Sequence, residues 1–494
     1  MAGPLLLGVD VGTTNLKVAA VEPGGRVIAV ARRSMVVHRP APGAAEFDLD
    51  AVDRDLVAAL AEVAAAVDAG RIAALGVVSI GESYVGLDAG GRRVTPCPTW
   101  YDRRTVRGRD RLGLSTAAWY DRTGMVDDDI YTVHRLAWLH DTDAALARGV
   151  RLWLNVADYV TLRLSGAAVA GPSLAARSGL ADRATGDWSE ATLAAAGIRR
   201  DRLPRLAPAA TVAGGLRAEV AARTGLPAGI PVVNAGHDHP AAGVAVGLAA
   251  PGNAIDSTGT SESLKTVLAA PLDFARSGGR FDCYPHALPG LWLLSAHVPS
   301  SGGLIDWLTR LVAGAGRPAA DALMAEAAAS LPGAGGVRVE PYLEGTGQPW
   351  NARDRRGSIA GLAATTTRGD LMRATLEALA AWLDLNVAAF EGLAGRRFGE
   401  LILVGGGSRA ALSTTIKAAM LDRPIRLPAV AEAAAAGAAL VAGLGAGIFA
   451  TPVEAAGVPD LGWTTVRPDA DLARLYAALD LAGGLRRPFE EAAR

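Results

Sequence analysis

Short apolar runs alternate with amphipathic stretches along this chain, a pattern that is typical of an α/β protein. Buried strands are predicted where mainly apolar residues run together, at 5–9, 18–21, 74–80, 231–236, 264–268 and 401–404. Helices are predicted where apolar residues recur at helical spacing, at 50–68, 241–248, 368–390, 410–421 and 433–444. Asp48 or Asp50 can cap the first of these helices, and Gly-rich or Pro-rich turns separate most of the elements.

The turn between the first two strands is Asp10-Val11-Gly12-Thr13-Thr14-Asn15-Leu16-Lys17. Gly12 permits a tight reversal, and the turn carries hydroxyls, backbone N–H groups and a lysine, which together can bind phosphate. Asp10 ends the strand, where it could hold a magnesium ion through water. An ordinary hairpin whose Asp bonds its own turn explains the same residues, so this stretch leaves both interpretations open.

A second stretch, Ile255-Asp256-Ser257-Thr258-Gly259-Thr260-Ser261-Glu262-Ser263-Leu264-Lys265, repeats the order of apolar lead-in, Asp, Gly-Thr turn and return strand. The same device at the start of each half predicts an internal duplication. Two such hairpins facing each other across a cleft would grip one polyphosphate from both sides. The chain contains no Walker pattern, and no Gly-x-Gly-x-x-Gly turn follows its first strand.

The composition narrows the class of protein. Hydrophobic residues make up 50% and charged residues 20% of the 494 residues, which excludes a disordered chain and allows two or more domains. A formal net charge of −1 provides no attraction to nucleic acid or to an anionic membrane. The two cysteines fit a reducing cytosol, and no basic leader precedes the first strand, so we expect a cytoplasmic protein. The uncharged stretch 433–453 is rich in Ala and Gly, which favours a packed helix over a membrane span.

Two loops carry candidate substrate contacts. Glu82 follows a predicted strand and a glycine, where its carboxylate can bond substrate hydroxyls, although a solvated turn residue is the simpler explanation. In the stretch 100–105, Trp100 can stack on a sugar while Asp102 and Arg103 bond hydroxyls. A surface ion pair or an interface patch explains this loop equally well.

Asp238 has two interpretations that do not exclude each other. It lies in His237-Asp238-His239-Pro240, just before a predicted helix, where Asp and an early Pro are favoured as capping residues. It can also be a catalytic base. The flanking histidines suggest a metal site, but no third ligand with recognisable spacing appears in the sequence.

Two glycine-rich turns in the second half can admit a ligand close to the backbone. Gly302 opens a predicted helix after Ser301, and Gly405-Gly406-Gly407-Ser408 joins a buried strand to a helix. Such turns let a phosphate or a flat ring approach backbone N–H groups. Each signal is weak when it stands alone.

Taken together, the motifs and their order resemble the FGGY family of carbohydrate kinases over residues 5–450. The similar stretches are 10–14, 100–105, Ala157-Asp158-Tyr159 with Arg163-Leu164-Ser165-Gly166, 226–232, Gly236-His237-Asp238, 257–261 and 405–407. The resemblance implies ATP-dependent phosphorylation of a small ketose or polyol. It also implies two ribonuclease-H-like domains, the fold shared with actin and the chaperone ATPases, that flank a catalytic cleft.

The resemblance further assigns domains and residues. It implies a sugar-binding and phosphate-binding domain at 1–248, a nucleotide-binding domain at 249–450 and an extension at 451–494 packed on the second domain. Asp238 would be the general base, and Asp10 would help to place Mg²⁺. Contacts to ATP and its phosphates are implied for Gly12, Thr13, Thr14, Lys17, Gly259, Thr260, Gly302, Gly406 and Gly407. Substrate contacts are implied for Glu82, Trp100, Asp102, Arg103 and Asp238.

The chain departs from the family pattern at three places. Ala411 stands where relatives often have an Asn near the nucleotide, and Thr346-Gly347 where many have Glu-Arg. Gly81-Glu82-Ser83 lacks the Gln-Met-His of typical xylulose kinases but keeps the Glu of glycerol kinases. An actin-like or chaperone-like ATPase and a non-catalytic sugar sensor of the same fold remain alternatives, and a homodimer is an open assembly state.

Overall fold

The computed structural model describes residues 3–104, 112–430, 432–457 and 461–492. The strands of the first half are β1 (Leu5–Val11), β2 (Asn15–Val21), β3 (Val27–Ser34), β4 (Val37–His38), β5 (Glu46–Phe47), β6 (Ile72–Ser79), β7 (Tyr84–Leu87), β8 (Cys97–Pro98), β9 (Leu152–Asn155), β10 (Val169–Ala170), β11 (Ala181–Asp182), β12 (Asp187–Trp188), β13 (Arg205–Leu206), β14 (Val212–Gly215) and β15 (Pro231–His237). Its helices are α1 (Leu49–Ala66), α2 (Thr116–Thr123), α3 (Thr132–Thr142), α4 (Ala144–Gly149), α5 (Val156–Ser165), α6 (Pro172–Arg177), α7 (Glu190–Ala196), α8 (Ala218–Thr224) and α9 (Asp238–Val244).

The second half has fewer strands and longer helices. Its strands are β16 (Ala254–Thr258), β17 (Glu262–Leu268), β18 (Asp282–Pro285), β19 (Trp292–Val298), β20 (Arg338–Glu340), β21 (Ser358–Ala360), β22 (Leu401–Val404), β23 (Ile425–Leu427) and β24 (Thr464–Val466). Its helices are α10 (Phe274–Ser277), α11 (Gly302–Val312), α12 (Arg317–Ala329), α13 (Arg368–Ala394), α14 (Ala411–Met420), α15 (Ala433–Gly445), α16 (Pro452–Ala456), α17 (Ala470–Leu479) and α18 (Leu481–Ala492).

The two large sheets repeat one topology. In the first, β3, β2 and β1 form an antiparallel meander, and β6 and β15 continue it in parallel to β1. In the second, β19, β17 and β16 form the meander, and β22 and β23 continue it in parallel to β16. The predicted duplication is therefore confirmed, and the fold is the two-domain ribonuclease-H-like α/β fold that the sequence predicts.

Helix α15 belongs to the second half of the sequence but packs on the first sheet, against β1, β2 and β6, and on α9. Glycines make this close approach possible. A Cβ at Gly8 would lie 1.7 Å from the carbonyl oxygen of Ala435, and one at Gly437 would lie 1.7 Å from that of Ala241. Within the uncharged stretch 433–453, residues 433–445 thus form a helix packed inside the protein, and none of the described helices has the length and hydropathy of a membrane span.

One face of the second large sheet packs on parts of the first half that lie outside the first large sheet, including the two-stranded sheet of β7 and β9. Ile255, Val267 and Leu293 of the second sheet lie in one apolar cluster with Tyr84 and Trp153 of the first half. The opposite face of the second sheet packs on α13 and α14. At the C-terminal end, α17 packs on α14 and α18 on α13. The domain boundaries at 248 and 450 stay a prediction.

Candidate active site

The first hairpin ends β1 with a buried carboxylate beside a glycine turn. The N–H of Gly12 donates to the carbonyl oxygen of Asn15 at 3.0 Å and closes the turn. The strand register puts Lys17 opposite Asp10, and the lysine ammonium lies 3.3 Å from Oδ2 of Asp10 and 2.9 Å from Oε2 of Glu432. Lys17 therefore already shares its charge between two carboxylates where the sequence predicts a phosphate contact.

Asp10 keeps one oxygen without a hydrogen-bond partner. Its residue surface is only 3% exposed, and no described residue bonds its Oδ1. Burial raises the pKa of Asp10 above its usual value, against the opposing effect of the Lys17 ammonium. A buried carboxylate oxygen without a partner is costly unless a ligand satisfies it, so this atom is suited to a cation or to its water shell.

The second hairpin forms the wall of a cavity. The N–H of Gly302 donates to the carbonyl oxygen of Gly259 at 3.0 Å, and a Cβ at Gly302 would lie 2.5 Å from that oxygen. A Cβ at Gly407 would lie 2.4 Å from Cγ2 of Thr258. Glycines thus let three chain segments converge on one cavity of about 370 Å³. The lining residues are Thr258, Gly259, Thr260, Glu262, Ser301, Gly302, Ile305, Asp306, Met324, Leu379, Gly406, Gly407, Ala410, Ser413 and Lys417.

This cavity has the form of a nucleotide pocket. Its volume lies in the range of small-molecule sites, which is roughly 300–1,000 Å³. Gly259 of the hairpin and Gly302 at the start of α11 line the cavity, and residues without a side chain let a phosphate approach the backbone closely. Ile305, Met324 and Leu379 form an apolar wall suited to a flat ring. Ala410 and Ser413 line the cavity, whereas Ala411 does not.

A buried ion cluster forms part of the wall of this cavity. The ammonium of Lys417 lies 2.6 Å from Oδ2 of Asp256 and 2.8 Å from Oε1 of Glu262. The hydroxyl of Ser301 donates to the other oxygen of Glu262 at 2.6 Å. Burial together with the Glu262 charge raises the pKa of Asp256 to about 7, against the effect of Lys417. The cluster ties α14, the second hairpin and the start of α11 together, which stiffens the pocket.

Asp238 is the first residue of α9, and His237 is the N-cap. The helix therefore begins earlier than the predicted 241–248, and Asp238 is not its cap. The Asp238 side chain is 18% exposed, and its Oδ1 lies 3.2 Å from Nε2 of His237 without forming a hydrogen bond. Burial and the Asp10 charge raise the pKa of Asp238 to about 8, although Lys265 opposes the shift. A carboxylate with such proton affinity suits a general base.

The histidines on either side of Asp238 have separate surroundings. Nδ1 of His237 forms a 3.0 Å hydrogen bond with the hydroxyl of Tyr284 on β18. Burial lowers the pKa of His237 well below its usual value, so its ring is neutral. Ligand atoms of His237, Asp238 and His239 lie within 4.8 Å of one another. The positive charge of Lys265 acts on all three residues, which disfavours a metal cation there.

Glu82 lies in an ion network that joins the two halves. It follows β6 with a positive φ of 61°, which is strained for a residue with a side chain. Nε of Arg177 donates to Oε1 of Glu82 at 2.6 Å, and Nη1 of Arg177 donates to Oδ2 of Asp282 on β18 at 3.0 Å. Burial raises the pKa of Glu82, and Arg177 opposes the shift. A solvated turn position is excluded because Glu82 is 5% exposed.

The Trp100 loop contacts the first hairpin. The indole N–H of Trp100 donates to the Thr13 hydroxyl at 3.2 Å, and the residue is 39% exposed. Arg135 on α3 is buried and donates to the carbonyl oxygens of Thr99 and Trp100, which holds the loop from behind. An exposed indole beside a phosphate turn can stack on the apolar face of a sugar ring.

Asp102 and Arg103 have different positions in this loop. Oδ2 of Asp102 accepts the N–H of Ala45 at 3.0 Å, and Arg104 donates to both carboxylate oxygens. These bonds hold the pKa of Asp102 below its usual value in spite of burial. Arg103 is exposed, and its backbone N–H bonds Gly43. The carboxylate of Asp102 therefore holds the loop in its conformation. To contact a substrate as predicted, Asp102 would have to give up its hydrogen bonds with Ala45 or Arg104. Thr105 lies outside the described residues.

Several charged residues of the site escaped sequence reasoning. Arg177, Asp282 and Lys265 come together only because α6, β18 and β17 meet at the cleft. Lys417 is the only charged residue of its predicted helix, and Lys265 is the only charged residue of the predicted strand 264–268, so an isolated charge in an otherwise uncharged element was a usable signal. No comparable pattern marks Arg177 or Asp282.

Comparison with known proteins gives a consistent result. The sequence model of the FGGY family of carbohydrate kinases matches with its N-terminal domain at residues 5–245 and its C-terminal domain at 255–446. An L-fuculokinase of Escherichia coli K12 is 30% identical over 475 residues, covering 92% of this chain and 95% of that protein. A glycerol kinase of Aromatoleum aromaticum is 32% identical over 466 residues, covering 90% of each.

Solved structures agree with these relatives. A xylulose kinase from Rhodospirillum rubrum superimposes with a TM-score of 0.89 at 28% identity, covering 99% of this chain and 98% of that chain. A xylulose kinase from Brucella ovis gives 0.90 at 28% identity, covering 99% and 100%. The chain therefore belongs to the FGGY family of carbohydrate kinases, and it is a phosphotransferase that uses ATP and acts on an alcohol group of a sugar or polyol.

Proposed function

We propose that this kinase transfers the γ-phosphate of ATP to a hydroxyl of a small ketose or polyol, with Asp238 as the general base. The observation that carries the proposal is the carboxylate of Asp238 at the cleft, which has one oxygen that no described residue bonds and a pKa raised to about 8 by burial. It takes the proton of the attacking hydroxyl as the phosphoryl group arrives.

The two hairpins position the phosphates in this proposal. Gly259, Thr260 and Gly302 line the cavity beside the second hairpin, where glycines let phosphates approach the backbone, and ATP lies there with its base toward Gly406 and Gly407. The terminal phosphate extends toward the first hairpin, where Gly12, Thr13, Thr14 and Lys17 lie. Transfer then needs mainly in-line placement and balanced charge.

Asp10 fits a role in holding Mg²⁺. Its Oδ1 is buried and has no partner among the described residues, and carboxylate oxygens and water are the ligands that Mg²⁺ prefers. When bound, the ion would neutralise charge on the phosphate oxygens. Lys17 pairs with the other oxygen of Asp10 and so holds the carboxylate in one orientation.

For the acceptor, we propose contacts with Glu82, Trp100 and the residues near them. Glu82 is held by Arg177, which leaves its Oε2 available to accept hydroxyl groups. Trp100 offers an exposed ring for the carbon skeleton. The names of the relatives suggest fuculose, xylulose and glycerol as the first compounds to examine. Because position 411 is an alanine, contacts with the adenine would come from other residues that line the cavity.

A coupled ADP-release assay with a panel of three- to seven-carbon ketoses and polyols tests this proposal. We expect ADP release to depend on one narrow group of acceptors, because domain closure on the acceptor excludes water and limits ATP hydrolysis. Rapid ADP release without any acceptor would instead indicate an ATPase. Sugar binding without any ADP release would indicate a sensor.

We expect Glu82→Gln to weaken acceptor binding selectively. A hydrogen bond to a charged group contributes about 1.5–3 kcal/mol, so the KM for the acceptor should rise roughly 10- to 100-fold. The KM for ATP should change little, because the nucleotide cavity has no lining residue in this loop. Steady-state kinetics with each substrate varied in turn measures both. Glu62→Gln, which changes an exposed carboxylate on α1, is the control. Equal increases in both KM values would place Glu82 outside the acceptor pocket.

A further inference from the structure

Lys265 is a charged residue in an apolar position. It lies on β17, opposite Ile255 of β16 and Ser295 of β19. Because side chains alternate along a strand, it shares a face with Val267, and that face joins the core between the two halves. Lys265 is 4% exposed. Its ammonium therefore extends from the second sheet toward the first half of the protein.

The lysines of this chain are few and similarly placed. Of 49 lysine and arginine residues, only Lys17, Lys265 and Lys417 are lysines. Lys17 and Lys417 each make two ion pairs with carboxylates next to a phosphate hairpin. For Lys265, no ion pair within 4.0 Å and no hydrogen bond of the ammonium is found among the described residues. A compact ammonium, rather than the broad guanidinium used elsewhere, suits a confined contact with a phosphate oxygen.

A buried cation without a partner needs an anion. Burial lowers the pKa of Lys265 to about 8, against the opposing effect of the charges of Asp238 and Asp256. Asp238 belongs to the first domain and Asp256 to the second hairpin. The Lys265 ammonium is therefore within electrostatic reach of both the base and the nucleotide side. An anion that passes between these two sides would relieve the cost of its burial.

We propose that Lys265 is a catalytic residue that binds the phosphoryl group during its transfer. The bond between the γ-phosphorus and the bridging oxygen breaks, and that oxygen leaves with ADP. A bond forms from the acceptor oxygen to phosphorus, and the hydroxyl proton goes to Asp238. Lys265 stays protonated and balances the charge on the equatorial oxygens. This inference rests on the proposed function, because it takes the acceptor to lie beside Asp238.

Lys265→Met tests the inference. Methionine keeps the length and removes the charge, so we expect kcat to fall about 10²- to 10³-fold, the usual cost of one lost transition-state contact. The KM for ATP should change little. The melting temperature should stay the same or rise, since an unpaired buried charge is removed. Lys265→Arg, which keeps the charge, should recover part of kcat.

A second measurement separates phosphoryl binding from other roles. Aluminium fluoride with ADP, Mg²⁺ and the acceptor mimics the phosphoryl group in transfer, and we expect it to tighten ADP binding to the wild type. In Lys265→Met this tightening should disappear, while binding of ADP alone persists. Unchanged kcat, or reduced kcat with the tightening retained, would overturn the inference. An inactive Asp238→Asn with a fully active Lys265→Met would refute the lysine role alone, whereas a fully active Asp238→Asn would refute the proposed function.

Discussion

Replacing Asp238 by asparagine is expected to abolish most acceptor-dependent turnover. General base catalysis contributes about 10²- to 10⁴-fold, and asparagine keeps the shape of the side chain without its proton affinity. Asp238 is already the first residue of α9, with His237 as the cap, so the helix does not depend on its carboxylate as a cap. Stopped-time measurement of ADP release, with ATP and acceptor both saturating, gives kcat for the two proteins.

Nucleotide binding provides the control for this variant. The cavity lined by Gly259, Gly302 and Gly406 does not include Asp238, so calorimetric ADP affinity should match that of the wild type. The melting temperature should stay the same or rise, because a neutral amide replaces a desolvated carboxylate. Near-normal turnover would mean that Asp238 has only a structural part at the start of α9.

Replacing Gly8 by alanine is expected to destabilise the first domain severely. The added Cβ would lie 1.7 Å from the carbonyl oxygen of Ala435 and 3.0 Å from the backbone N of Ala439, so no side chain can move aside to make room. Overpacking of a core costs about 1–3 kcal/mol and more where backbone must shift. For a domain of this size we expect a melting temperature lower by roughly 6–12 °C, measured by calorimetry or dye fluorescence.

Gly24→Ala is the matched control for this change. Gly24 lies in the turn between β2 and β3, and a Cβ there would meet nothing within 4 Å. Its melting temperature should stay within about 2 °C of the wild type, in line with ordinary surface substitutions. A melting temperature for Gly8→Ala equal to that of Gly24→Ala would show that α15 can withdraw from β1 at little cost.

The Gly8→Ala and Asp238→Asn variants both concern the region where α15 packs on β1 and α9. Gly437 lets α15 approach α9 as closely as Gly8 lets it approach β1. Because α9 begins with Asp238, the packing of α15 also sets the position of the proposed base relative to the first hairpin. A segment of the second half thus supports chemistry that is assigned to the first half.

Local patterns predicted much of this protein correctly. The apolar runs at 5–9 and 401–404 are strands, and the long helix predicted at 368–390 is α13. The repeated Gly-Thr hairpin revealed the duplication, because its elements are contiguous in the chain. Contiguous patterns are set by backbone sterics and by alternation of apolar residues, and both can be read from a single sequence.

Other features lay beyond such patterns. The predicted start of α9 was late because Asp, a favoured capping residue, was expected at the cap position that His237 occupies. Nothing in the sequence indicates that the carboxylate of Asp102 accepts hydrogen bonds from Ala45 and Arg104. The ion pairs of Arg177 with Glu82 and Asp282 could not be predicted either, because the three residues are far apart in the chain.

Short-range order along the chain was enough to establish two duplicated sheets, two glycine hairpins and the family of the protein. The tertiary structure decided which charges are paired: Lys17 and Lys417 form ion pairs with carboxylates, and Lys265 has no such pair within the part of the chain that the structure describes. The physical reason is that burial and charge pairing depend on side chains brought together from distant strands and helices. A sequence pattern records only the spacing of neighbours, and electrostatic energy depends on distances through space.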